Sequence, residues 1–129
     1  MTTRVRITPP DFAAYYEALL QMGRDIDAAT ARAVTAGAEV AQAGMQERAP
    51  KDTHNLEQHI QVAGPFQSGN FIFAEVGVLG ADAETARYGN AQEYGWGNEP
   101  GQPYIRPTID EDKGKVRRAM KESMEKELS

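Results

Sequence analysis

The chain has 129 residues, 14 basic against 19 acidic, and so a formal net charge of −5. That length predicts one domain over residues 1–129 with a single core, and that charge argues against a nucleic-acid grip driven by overall charge. The lack of cysteine excludes disulfides, thiolate nucleophiles and cysteine-ligated metal centres. No apolar run approaches a membrane span, and "MTTRVRITPP" lacks the apolar centre of a signal peptide, so the expectation is a soluble intracellular domain or a component of an assembly built inside a cell.

In chain order, Val5 and Ile7 alternate with Arg4 and Arg6, which predicts a short half-buried strand. "TPPDF" then predicts a helix start, with Thr8 as cap, Pro9 in the first turn and Asp11 near the positive end. Phe12, Tyr15, Leu19, Met22, Ile26, Thr30, Val34, Ala38, Ala41 and Met45 recur at steps of three and four. They predict an amphipathic helix from Asp11 to Arg48, with Gly23 or Gly37 marking a break or bend. Its alanine-rich second half offers small side chains against which another element can pack closely.

Pro50 ends that helix, because the residue before a proline is pushed out of the α region. "NLEQHIQVAG" places Ile60 and Val62 on one face of a strand, "SGN" makes a turn, and "FIFAEVGVLG" alternates Ile72, Ala74, Val76 and Val78 against Phe71, Phe73 and Glu75. The pair predicts an antiparallel hairpin. "ADAETARYGNAQEYGWGNEPGQPY" is polar and glycine-rich, which predicts a long functional loop with one short element around Tyr88 to Tyr94. Pro107 opens a final helix from Thr108 to about Leu128, with Ile109, Val116, Met120, Met124 and Leu128 as its apolar stripe and Asp110, Glu111 and Asp112 in its first turn. The fold class is α+β: an antiparallel sheet of roughly three to five strands packed by the long N-terminal helix and the C-terminal helix.

Chemistry-bearing residues are sparse. His54 and His59 stand five apart, a spacing that suits neither one helix face nor one strand face, so no metal or other cofactor is expected there. Ser68, Ser123 and Ser129 lack a nucleophile's setting, and "GWGNEPG" lacks the spacing and lysine of a phosphate loop. Trp96 differs. Set between two glycines in the most polar stretch, near Tyr94 and Tyr104, it either plugs the loop onto its own core or is offered to a partner.

The order of motifs resembles the small tail-completion, or neck, proteins of long-tailed double-stranded-DNA bacteriophages. "APKDTHNLEQHI" is similar to that family's Ala-Pro-x-Asp-Thr-Gly-x-Leu-x-x-x-Ile segment, with Ala49, Asp52, Thr53, Leu56 and Ile60 in place and His54 standing where glycine is usual. "VGVLG" resembles its central strand. "YGNAQEYGWG" matches Tyr-Ala-x-x-x-Glu-x-Gly at Tyr88, Glu93 and Gly95, and "QPYIRPTID" matches Gln-Pro-Phe-hydrophobic-Arg-Pro at Gln102, Pro103, Tyr104, Arg106 and Pro107. The resemblance implies a virion protein of the head–tail junction, made in the host cytoplasm, that catalyses nothing. It would form a homo-oligomeric ring, hexameric in the virion, between head-closure or connector proteins and tail terminator or tail tube proteins, with DNA passing through unbound. On that reading Tyr88, Glu93, Tyr94, Trp96, Tyr104 and Arg106 are interface residues, and Pro50, Asp52 and Thr53 form a structural turn. Two alternatives stand beside it: a tail terminator capping the tube, and a small regulatory enzyme using His59, Glu93 and Tyr94.

Overall fold

The computed structural model describes residues 3–51 and 55–129. Its elements are β1 (Arg4–Ile7), α1 (Ala13–Gln21), α2 (Ile26–Arg48), α3 (Asn55–Gln58), β2 (Ile60–Ser68), β3 (Phe71–Val78), α4 (Ala83–Tyr94) and α5 (Ile105–Glu127). The three strands form one antiparallel sheet in the order β1-β3-β2, so β3 is central. This is the expected α+β class.

Alternation along the strands decides what the sheet buries. Ile60, Ile72, Ala74 and Val76 face inward and are buried, and α2 lies across them with Val34, Ala38, Ala41 and Met45. Phe66, Phe71 and Phe73 share the outer face, their rings 5.5 and 5.6 Å apart, and the Arg6 guanidinium lies 4.2 Å from the Phe73 ring centre. The hairpin turn falls at Ser68–Asn70 as expected. β2 continues past Pro65 because its register shifts between Ala63 and Phe66, and a bulge on an edge strand tolerates the missing N–H.

Several expected boundaries move, each for a local reason. The first helix begins at Ala13 rather than after Thr8: Pro10 holds Pro9 out of the α region, so the helix starts beyond both prolines, with Asp11 Oδ1 accepting from the Ala13 N–H at 3.1 Å. The expected 38-residue helix is two helices. Gly23 turns the chain at φ +69, and Asp25 caps the second by accepting from the Ala28 N–H at 3.0 Å. Gly37 is no break. α3 replaces the start of the expected strand and plants Leu56 in the core. Of the turn residues expected after α2, Pro50 is buried, and Ala49 before it is extended at ψ 145. Asp52 and Thr53, like His54, lie outside the described residues.

α5 packs along α2 in the opposite direction, Arg32 meeting Glu127 at one end and Arg48 meeting Asp112 at the other. Small residues let the helices approach. A Cβ on Gly37 would press on the flexible Met120 side chain, whereas a Cβ on Gly44 would overlap Asp112 Oδ2 and crowd Thr108. Asp112 cannot yield, because Arg48 holds it through two hydrogen bonds of 2.7 and 3.2 Å. Those bonds depress the Asp112 carboxyl below the usual aspartate range and raise Arg48. Gly44→Ala is therefore expected to cost about 1–3 kcal/mol by overpacking, despite a helix-propensity gain of ~1 kcal/mol. Gly37→Ala, which presses on Met120 Cγ at 2.8 Å and comes within 3.2 Å of Val116 Cγ1, should also destabilise in the same urea melts, but by less, because these neighbours are apolar and methionine adapts.

This match also corrects the expected stripe on α5. Thr108 and Asp112 are buried where Ile109 was expected, and Ile109 is 43% exposed. Met120 and Met124 hold their expected places in the core.

Candidate interaction site

The segment expected to be a loop is instead α4, its long connection to α5, and the start of α5. Asp82 caps α4, accepting from the Thr85 hydroxyl at 2.7 Å and the Thr85 N–H at 3.2 Å, which lowers its carboxyl below the usual range. The helix therefore starts at Ala83, well before Tyr88. Its inward face is carried by Thr85, Gly89 and Glu93, which is why no apolar stripe betrays it.

Glu93 organises the start of α5. It is 5% exposed, and Oε1 accepts from the backbone N–H groups of Tyr104 (2.9 Å) and Ile105 (2.7 Å) while Oε2 accepts from that of Arg106 (3.0 Å). A helix leaves its first four N–H groups without internal partners. In α5 the cap position and the next two residues donate to Glu93, and the fourth is Pro107, which has no N–H. All four are accounted for. The carboxylate also places negative charge at the positive end of the helix. Tyr104, at the cap position, offers no side-chain cap of its own.

Tyr104 is fully buried, and its hydroxyl donates to the Gly89 carbonyl at 3.0 Å. Burial, then the nearby Glu93 and Tyr94, pushes the Tyr104 phenol well above its ordinary value. Gly89 is required by this contact, since a Cβ there would overlap both Leu56 and the Tyr104 hydroxyl. The segments "YGNAQEYGWG" and "QPYIRPTID" are thus one unit in space: the first supplies the carboxylate and glycine, the second the helix start and the ring.

The connection between them is tied down. Gln92 Oε1 accepts from the Gln102 N–H at 2.9 Å, and the Gln102 amide donates to the Arg48 carbonyl at 3.3 Å. Trp96 and Glu99 exchange backbone hydrogen bonds of 3.1 and 2.8 Å, closing a tight turn. Gly95, at φ +78, precedes it at a point where a Cβ would overlap the Glu99 carbonyl. On this base Tyr94 is 48% and Trp96 51% exposed, and Arg106 stands exposed at the start of α5.

The six expected interface residues therefore separate. Tyr94, Trp96 and Arg106 are on the surface, and Tyr88 is half-buried against the core. Glu93 and Tyr104 are inside, because a carboxylate serving three N–H groups and a ring sealed under α4 have no face left for a partner. Sequence reasoning missed their internal role, as well as Arg48 and Asp112. The grouping of His59, Glu93 and Tyr94 finds no support as a catalytic set: both Glu93 oxygens are occupied, Tyr94 points to solvent, and His59 Nδ1 lies 2.8 Å from the Asn55 carbonyl. Among the described residues no cluster of three or more histidine or acidic side chains is placed to hold a metal ion. Nor, among them, is any helix long and apolar enough to cross a membrane.

The protein is thus a helix-flanked sheet with exposed aromatic side chains on a tied-down turn, mounted on a buried carboxylate that caps α5. Its class is that of bacteriophage tail components. The chain belongs to the family described as "Bacteriophage HK97-gp10, putative tail-component", whose model matches residues 11–95. The match takes in α1 through α4 and Glu93 and ends at Gly95, so Trp96, Tyr104 and Arg106 lie beyond it. No curated protein and no solved structure matches the chain.

Proposed function

We propose that the chain is a structural protein of the head–tail junction, assembling as a ring that completes the tail and joins it to the head. The observation that carries this reading is Trp96: half exposed, fixed by the turn it shares with Glu99, and mounted on the capped junction of α4 and α5. Ordering that turn before binding lowers the entropy lost on docking, and interfaces concentrate their energy in such aromatic anchors. Tyr94 and Arg106 are the other exposed residues of the expected interface set. The partners on this reading are further copies of the chain and the neighbouring head-closure, terminator or tube proteins. An acidic chain of net charge −5 would line a channel that lets phosphates pass without holding them.

Trp96→Ala is expected to shift the urea midpoint of the isolated protein little, since half the indole is already in water, and to impair ring formation or tail joining. Truncating an anchor of this kind costs binding about 2 kcal/mol or more. Unchanged tail joining by a folded Trp96→Ala variant would remove this surface from the proposed function. A loss of folding stability of ~3 kcal/mol would return Trp96 to the core.

A further inference from the structure

We infer that the open edge of β1, with the groove beneath it, receives an extended acidic segment of a different virion protein as a fourth strand of the sheet. The inference goes beyond the Trp96 surface, since no residue of α4 or of the 95–104 connection lines this groove. Its general setting, docking to other virion proteins, rests on the proposed function.

Three observations meet here. First, among the described residues β1 ends the sheet, and half of its backbone groups face away from β3 without a partner. The Val78 N–H donates to the Thr3 carbonyl, and partners in an antiparallel ladder alternate. Thr3, Val5 and Ile7 therefore turn their backbone groups toward β3, and Arg4 and Arg6 turn theirs to the open edge. Second, the inward face is incomplete at this edge. Ala74 and Val76 of β3 are fully buried, but their neighbours Ile7 and Val5 are only half covered. Beside them a groove of about 380 Å³ runs between β1 and α5, and the exposed Ile109 is part of its wall. Third, the charged side chains at this edge are mostly cationic in a chain whose net charge is negative: Arg4 and Arg6 stand on the outer face of β1, where Glu75 pairs with Arg4 at 3.6 Å, and Lys113 and Arg117 line the groove with no carboxylate among its lining residues. Lys113 and Arg117 form no ion pair among the described residues.

An added strand would take its main-chain hydrogen bonds from Arg4 and Arg6 and lay alternate side chains into the groove. Those that meet Val5, Ile7 and Ile109 are apolar, with Lys113 and Arg117 on the α5 side of the groove. The intervening ones would stand beside Arg4 and Arg6 on the outer face, where cross-strand pairing favours carboxylates. A second copy does not fit this description. Pairing β1 with another β1 would set Arg4 and Arg6 against their own counterparts, and β2, the other edge, carries no acidic residue along Ile60–Ser68.

The test is titration of a capped heptapeptide of alternating glutamate and valine into the isotope-labelled protein. Amide shifts should be confined to residues 4–8 and 108–120, with slowed hydrogen exchange at Arg4 and Arg6. Binding should weaken as salt rises, and about tenfold in the Arg4→Gln, Arg6→Gln double variant, beside whose side chains the glutamates would stand. Trp96→Ala should leave the titration unchanged, so that failure here and failure of the proposed function remain distinguishable. The inference is overturned if millimolar peptide moves none of these amides, if a lysine–valine peptide binds as well, or if a short DNA strand displaces the peptide from the groove.

Discussion

Replacing Glu93 with alanine is expected to destabilise the protein by about 3–5 kcal/mol, the scale of breaking a buried charged interaction. Three backbone N–H groups lose their acceptor together, and those of Tyr104 and Ile105 sit where water does not reach. The start of α5, which has no acidic residue in its own first turn, also loses the carboxylate that faces it, and Pro107 fixes that start, so the helix cannot slide one residue to find another cap. Glu93→Gln is the informative companion. It keeps one carbonyl oxygen near the N–H groups but loses the charge and the second acceptor, so it should fall between alanine and wild type. Urea denaturation followed by far-ultraviolet circular dichroism measures both. Equal stability of all three proteins would show that the carboxylate is not what holds α5.

Asp112→Ala is expected to cost about 3 kcal/mol, because it leaves the Arg48 guanidinium at the α2–α5 crossing without its main partner. Glu111 also reaches Arg48, at 2.9 Å, but from an exposed position that compensates little. The pair carries a pH signature. Asp112 is depressed in the folded state, chiefly by the hydrogen bond from Arg48, so its contribution is fully present above the ordinary aspartate range and is lost as pH falls through the depressed folded value. Glu127, held down by Arg32 at the other end of the same crossing, acts in the same direction. Stability should therefore drop on acidification below about pH 4, the unperturbed carboxylate range. The Asp112→Ala variant should show a shallower acid limb than wild type, read from urea midpoints across that range.

Much of this fold is legible in the sequence where a single element carries its own signal. The recurrence of Thr30, Val34, Ala38, Ala41 and Met45 marks the buried face of α2, and Ile72, Ala74 and Val76 mark that of β3. The division of the first helix is half legible: Gly23 stands out, and Asp25, three residues before Ala28, is the cap that completes the signal. α4 is harder. Its buried face is a threonine, a glycine and a glutamate, so hydrophobic periodicity passes over it, although Asp82 and Thr85 spell a helix start.

The site is less legible than the fold for a related reason. Glu93 and its backbone partners are 11 to 13 residues apart, and Arg48 and Asp112 are 64 apart. No local pattern announces such pairs, and backbone N–H groups carry no sequence letter. Position in a polar, glycine-rich stretch leaves Trp96 either plugging the core or offered to a partner, and the structure leaves it and Tyr94 about half exposed. The same cue misplaces Tyr104 and Glu93, because polar composition does not reveal which side chain is turned inward to hold the stretch together. The motif shared by Glu93 and the residues around Tyr104 is the geometry of a helix cap, and the exposed aromatic turn is built upon it.

The most direct measurement is negative-stain electron microscopy of isolated tails incubated with gold-labelled protein. A junction protein predicts label at the head-facing end of the tail and ring-shaped density there, both reduced with Trp96→Ala. Label along the tail's length or at its far end, or none on tails that still join heads, would contradict it.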